Sequence, residues 1–389
     1  MRITATNLKY TSNIYLPTHP FVIRDELDKL RANDDTKLQI RVTDCDEVEA
    51  LEGMELTADL WKMNVFAERI EQLDLNSPSK PDIQIAALLM DKPERTIDEL
   101  IRMTYSDSIP VYPCKNFAEL GEVVIDNDML SELEDVPEAL LPMLDKEWVG
   151  RTYAEREGGI FVDGYYCEPS AYEKPDITVT VGKRDDVFSI TLVPPGKDPD
   201  VCGRNFRLPV NPDELEKFSV ECGVPVDDLN YYSLNCSIPV RYEPQSPMAL
   251  NNLATWVSML EDDEVVKLKA ILQTLPSQNI QEVLDIAMNL NEYELDRTVR
   301  SYDDFGQKYL MELLPPEFSA RALDNTNLTD LGCDILYMKG GTITTYGALS
   351  GKGQQLYTPI VDESIEESED EVQDDEESES EDMGMGGMT

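Results

Sequence analysis

Carboxylates are the side chains of this sequence that could do chemistry, and they come in runs rather than in isolated pairs. Between residues 119 and 147 the acids are Glu119, Glu122, Asp126, Asp128, Glu132, Glu134, Asp135, Glu138, Asp145 and Glu147, with Lys146 as the one basic residue. A second set comprises Glu261, Asp262, Asp263 and Glu264, followed by Asp303, Asp304, Glu312 and Glu317. A third lies near the N-terminus: Asp44, Asp46, Glu47, Glu49, Glu52 and Glu55. Two carboxylates can act as general acid and base, but with 78 acidic residues in the chain no spacing singles out a pair. What such rows support is electrostatic. If the stretch after Phe117 is helical, Glu119, Glu122 and Asp126 share a face at steps of about 4.5 to 6 Å along the axis. Duplex DNA presents one charge per ~1.7 Å of axis, or ~3.4 Å per strand, so carboxylates on this scale can imitate phosphates.

Other site chemistries find little support. His19, in Leu16-Pro17-Thr18-His19-Pro20, is the one histidine, which removes His-based triads and most zinc sites; it reads as a surface-loop residue. The 7 cysteines are scattered with no C-x-x-C, so neither a disulfide framework nor a zinc site is indicated, and a reducing cytoplasm fits. There is no G-x-x-x-x-G-K-[ST], and no G-x-G-x-x-G follows an expected strand. Asp126-Asn127-Asp128 begins like a calcium loop, but Leu130 and Ser131 stand where a ligand and the turn glycine belong. No cofactor or metal is expected, and the chain reads as a non-enzyme.

The charge balance points the same way. With 78 acids against 33 bases, the formal net charge is −45. Phosphate and anionic lipid are repelled by such a chain, so nucleic acid and membrane are excluded as partners and a basic protein is favoured. Residues 362–382 hold 14 of the acids, with no Lys or Arg and almost nothing apolar, and a Gly-Met run follows; 359–389 reads as a disordered acidic tail. Without those 14, 64 acids still face 33 bases. A solvated surface serving solubility is the plain alternative for any one carboxylate. No stretch approaches the ~20 apolar residues of a membrane span, and the N-terminus lacks a signal-peptide pattern.

The elements that must hold these rows recur in order. Asp25-Glu26-Leu27-Asp28-Lys29-Leu30 has a partner in Asp213-Glu214-Leu215-Glu216-Lys217-Phe218. Asn64, Phe66, Ala67, Ile70 and Leu73 share the helical spacing of Asn251, Leu253, Ala254, Val257 and Leu260. Phe117 to Gly121 answers Tyr302 to Gly306, Val149-Gly150 answers Leu331-Gly332, and Gly158-Gly159 answers Gly340-Gly341. Strands are expected at 3–6, 38–42, 177–181 and 187–192, the last two as a hairpin. Asp163-Gly164 marks another hairpin, with a counterpart in 342–348. The resulting expectation is an elongated multi-domain α+β protein with two similar tandem units. Its segments are an N-terminal α+β subdomain (1–59), a helical plus β-hairpin region (60–168), a second α+β subdomain (171–249), a second helical plus hairpin region (250–358) and the tail.

These residues resemble a family. The helix from Met63-Asn64-Val65-Phe66-Ala67, the Phe117-Ala118-Glu119-Leu120-Gly121 step and the Gly158-Gly159 hairpin look like antirestriction proteins of the ArdA type. So do Asn251-Asn252-Leu253-Ala254, Tyr302-Asp303-Asp304-Phe305-Gly306 and Leu331-Gly332-Cys333-Asp334 in the second unit. Long variants of this kind are similar to those on conjugative elements of gut Firmicutes. The resemblance implies a non-enzymatic DNA mimic that fills the basic DNA-binding groove of a type I restriction-modification enzyme and protects an incoming mobile element. Family members often dimerise; a fused duplication would make this chain a monomeric pseudo-dimer, with a homodimer as the alternative. Relatives are shorter and lack the tail and the 177–192 segment. An acidic adaptor or chaperone for a basic nucleic-acid-binding protein is the other reading, with the tail as its binding element.

Overall fold

The computed structural model describes residues 1–133, 136–183, 186–239, 246–275 and 279–351. The expected tail lies outside them, as do Glu134 and Asp135. The chain is a mixed α+β protein. In its first half, β1 (Arg2–Asn7), β2 (Tyr10–Tyr15), α1 (Pro20–Lys29), β3 (Leu38–Asp44) and β4 (Glu55–Ala58) build an antiparallel sheet of order β2-β1-β3-β4. Alternation dictates its faces: Ile3 and Ala5 on β1 and Leu38, Ile40 and Val42 on β3 are buried, while the residues between them face outward. Three helices follow, α2 (Leu60–Glu71), α3 (Pro81–Asp91) and α4 (Ile97–Met103). Asp59 caps α2 by accepting from the Lys62 N–H at 2.8 Å, and Thr96 and Glu99 form a capping box on α4. The sheet and these helices share one core, running from Ile3 through Phe66 to Ile109, so it does not change at residue 59.

A smaller core closes the half. It is built from β5 (Val111–Tyr112), α5 (Phe117–Asp126), α6 (Lys146–Glu157), β6 (Ile160–Val162) and β7 (Tyr165–Cys167), with strand order β5-β7-β6. Asp163 and Gly164 join β6 to β7 at φ 46° and 83°, the double left-handed turn that Asp-Gly favours.

The second half opens with β8 (Phe188–Val193), α7 (Pro199–Cys202), β9 (Arg204–Leu208), α8 (Pro212–Cys222) and β10 (Asn230–Cys236), in a sheet of order β10-β8-β9. Then come α9 (Pro247–Val257), α10 (Asp262–Thr274), α11 (Ile280–Met288), β11 (Tyr293–Asp296), α12 (Tyr302–Leu313), α13 (Pro316–Leu323), α14 (Leu328–Met338), β12 (Thr342–Thr344) and β13 (Gly347–Gly351). The last three strands order as β11-β13-β12.

The expected hairpin across 177–192 does not form. β8 already carries β9 on one edge and β10 on the other, so no edge remains for 177–181. That stretch instead lays Ile177, Val179 and Val181 against the core of the first half, which accounts for its alternating pattern without a strand partner. Among the described residues, no helix is long and apolar enough to cross a membrane.

Glycine fixes the helix pairs that carry the acidic rows. A Cβ on Gly121 would lie 1.8 Å from the Lys146 carbonyl oxygen, and one on Gly150 2.0 Å from that of Phe117. α12 and α14 cross the same way, at 2.2 Å for Gly306 against Leu328 and 1.8 Å for Gly332 against Tyr302. Backbone thus packs on backbone at both crossings, which only glycine permits.

Candidate partner-binding carboxylate surface

The expected helix after Phe117 is α5, capped by Asn116, whose side chain accepts from the Glu119 N–H at 3.0 Å. Its apolar residues Leu120 and Val124 are buried against α6, which leaves Glu122 and Asp126 exposed. Glu119 behaves differently from its neighbours. Its carboxylate turns back to accept from the Lys115 N–H and from the Asn116 side-chain amide, both at 2.9 Å. It serves the helix start, where a negative charge also meets the positive end of the dipole.

Several other carboxylates are tied to nearby cations. Glu122 pairs with Lys146 at 2.5 Å, and Glu132 with Arg156 at 3.0 Å. Glu132 is held below its ordinary pKa, first by a backbone hydrogen bond and then by Arg156. Glu264 accepts from the Glu261 N–H at 3.0 Å at the start of α10. Asp262 faces Arg24 at 3.4 Å and Asp263 faces Arg297 at 2.7 Å. Asp304 accepts from the Arg300 N–H at 3.0 Å and meets Lys9 at 3.3 Å. Arg24 and Lys9 come from the first half, so Asp262 and Asp304 help join the halves.

Six of the expected residues are exposed carboxylates with no ion pair among the described residues: Glu261 and Glu264, which form the capping box of α10, and Asp126, Asp128, Glu138 and Asp303. Asp128 sits just beyond α5 at φ 51°, a conformation that Asp tolerates better than most residues. Glu138 opens a 3₁₀ turn (Glu138–Met143), and Asp303 lies in the first turn of α12. The N-terminal row proves at least as open. Asp46, Glu49 and Glu52 are exposed on the connection between β3 and β4, as are Asp44 at the end of β3 and Glu55 at the start of β4. No Lys or Arg occurs between Arg41 and Lys62, and Arg2 and Arg41 stand opposite Asp44 and Glu55 on the neighbouring strands. Glu47 is half-buried and accepts from the Cys45 thiol.

Separating capping acids from free ones was within reach of the sequence. Asn116 and Glu119, Ser301 and Asp304, and Glu261 and Glu264 all have the three-residue spacing of helix caps. His19 likewise caps a helix, its Nδ1 accepting from the Phe21 N–H at 3.2 Å at the start of α1.

A buried acid outside these rows is Glu168. It is nearly inaccessible, accepts from the Tyr153 hydroxyl at 2.7 Å, and has its pKa raised by burial against the opposing effect of that hydrogen bond. Burial and then Glu168 push the neighbouring Cys167 thiol up to about 12, so it stays protonated and is a poor nucleophile. Among the described residues, no group of three or more His, Cys, Asp or Glu is arranged to hold a metal ion. Compared with known proteins, the chain matches no family model and, at significance, no curated protein.

Proposed function

We propose that this protein is a DNA mimic of the ArdA antirestriction type, a non-enzyme that occupies the basic DNA-binding groove of a type I restriction-modification enzyme. The observation that carries this reading is the set of exposed carboxylates with no ion pair among the described residues, above all Asp46, Glu49 and Glu52 on the connection between β3 and β4, flanked by Asp44 and Glu55 at the strand ends. A carboxylate already paired within the chain has little to offer Lys or Arg of a partner. One without a cation adds long-range attraction and on-rate. Asp126, Asp128, Glu138 and Asp303 extend the same property to the helix pairs.

A tandem repeat belongs to this reading. β2-β1-β3 in the first half has the topology of β9-β8-β10 in the second, and β5-β7-β6 that of β11-β13-β12. Asn64 accepts from the Thr18 N–H at 2.7 Å, as Asn251 does from the Val210 N–H at 2.8 Å. Both halves cross two helices at paired glycines. Such a chain would offer two acidic units to one extended groove.

The test is cleavage of unmodified plasmid by a purified type I restriction-modification enzyme with increasing amounts of this protein. Stoichiometric inhibition is expected. Inhibition should weaken strongly when Asp44, Asp46, Glu49, Glu52 and Glu55 are changed together to Asn and Gln, and much less with E119Q. Undiminished cleavage at molar excess would count against the reading.

A further inference from the structure

The two halves meet through polar contacts far more specific than a linker requires. Lys269 of α10 is 1% exposed, a rare burial for a lysine, and its Nζ lies 2.6 Å from Asp28 Oδ2 and 3.1 Å from Asp25 Oδ1, both on α1. Tyr346 donates to Asp25 at 2.7 Å. Arg31 donates to the carbonyl oxygens of Arg297 at 3.0 Å and Thr345 at 2.9 Å, and the Tyr10 hydroxyl donates to Arg297 O at 3.1 Å. Burial alone would raise the Asp25 pKa, yet Lys269 and then Lys29 hold it below the ordinary range.

The joint is also asymmetric. α1 occupies in the first half the place that α8 has in the second, and α3 the place of α10. A two-fold joint would set α8 against α3 just as α1 meets α10. Instead, Lys269 of α10 pairs with Asp25 and Asp28 of α1, while no hydrogen bond or ion pair among the described residues joins α8 to α3. The contact is therefore heterologous, joining different faces of the two halves.

We propose that Lys269 is a latch that locks the halves head to tail in one rigid arrangement, rather than as a pseudo-two-fold dimer. Its role as a positioning residue, setting a fixed separation between the acidic surfaces of the halves, rests on the DNA-mimic reading; the latch itself does not. Because Nζ is shielded from solvent, salt that screens the surface rows leaves the latch closed.

The experiment is small-angle X-ray scattering and thermal unfolding of the full chain as wild type, K269M and R31Q, with inhibition assayed in parallel. K269M is expected to raise the radius of gyration and to split one unfolding transition into two. R31Q, which strands no buried charge, is expected to shift both in the same direction by less. Unchanged scattering and unfolding in both variants would overturn the latch. If K269M fails to fold, R31Q decides. A wild type that does not inhibit would count against mimicry and leave the scattering test of the latch unaffected. Variants that open in solution yet inhibit as wild type would overturn the positioning role.

Discussion

The Tyr153 hydroxyl donates to the Glu168 carboxylate across 2.7 Å, joining α6 to the segment that follows β7. Burial raises the Glu168 pKa above its ordinary 4.5. The folded state therefore binds this proton more readily than the unfolded chain, and the sign follows: stability from this group is gained as pH falls through the folded pKa and lost as pH rises. E168Q keeps an acceptor for Tyr153 without the titration. Relative to wild type, E168Q is expected to be more stable at pH 8 than at pH 5, measured by urea unfolding at both. A constant difference would mean that Glu168 does not titrate differently on folding.

The glycine crossings give a prediction with an internal control. G150A places a methyl 2.0 Å from the Phe117 carbonyl oxygen and 2.8 Å from the Gly121 nitrogen, backbone atoms that cannot rotate away. It should cost about 1–3 kcal/mol or more, and G332A in the second half a similar amount. G182A, with nothing within 4 Å of the added Cβ, should stay within about 0.5 kcal/mol of wild type. Denaturant midpoints measured side by side decide this.

Asn251 bonds both backbone groups of Val210, accepting from N–H at 2.8 Å and donating to C=O at 2.9 Å. Asn64 accepts from the Thr18 N–H but spends its amide on Glu68 at 2.9 Å. N251A should therefore destabilise by about 1–3 kcal/mol, the penalty for stranding buried polar groups, and N64A by less. Hydrogen exchange of the Val210 and Thr18 amides would locate each loss.

Much of this architecture was legible where the signal is local. Asp163-Gly164 marks its hairpin, 38–42 is found as the expected strand, and the stretch after Phe117, whose carboxylate spacing supposed a helix, is α5. The failures arise where tertiary context decides. Ile177, Val179 and Val181 alternate like a strand, but their apolar side serves the core of the other half. Nothing local in the sequence marks Lys269, because its partners, Asp25 and Asp28, lie some 240 residues away. The acidic rows were visible as composition. Which members are paired across the joint was not, since Lys9 and Arg24 reach Asp304 and Asp262 only there.

The central claim is that carboxylates here take the place of DNA phosphates. It is tested most directly by competition: a fluorescent duplex bound to a type I restriction-modification enzyme, titrated with this protein at several salt concentrations and followed by anisotropy. Mimicry predicts full displacement of the duplex, an affinity that falls steeply with salt, and a large loss when Asp44, Asp46, Glu49, Glu52 and Glu55 are neutralised. Duplex that stays bound at saturating protein, or displacement indifferent to those five residues and to salt, would contradict it.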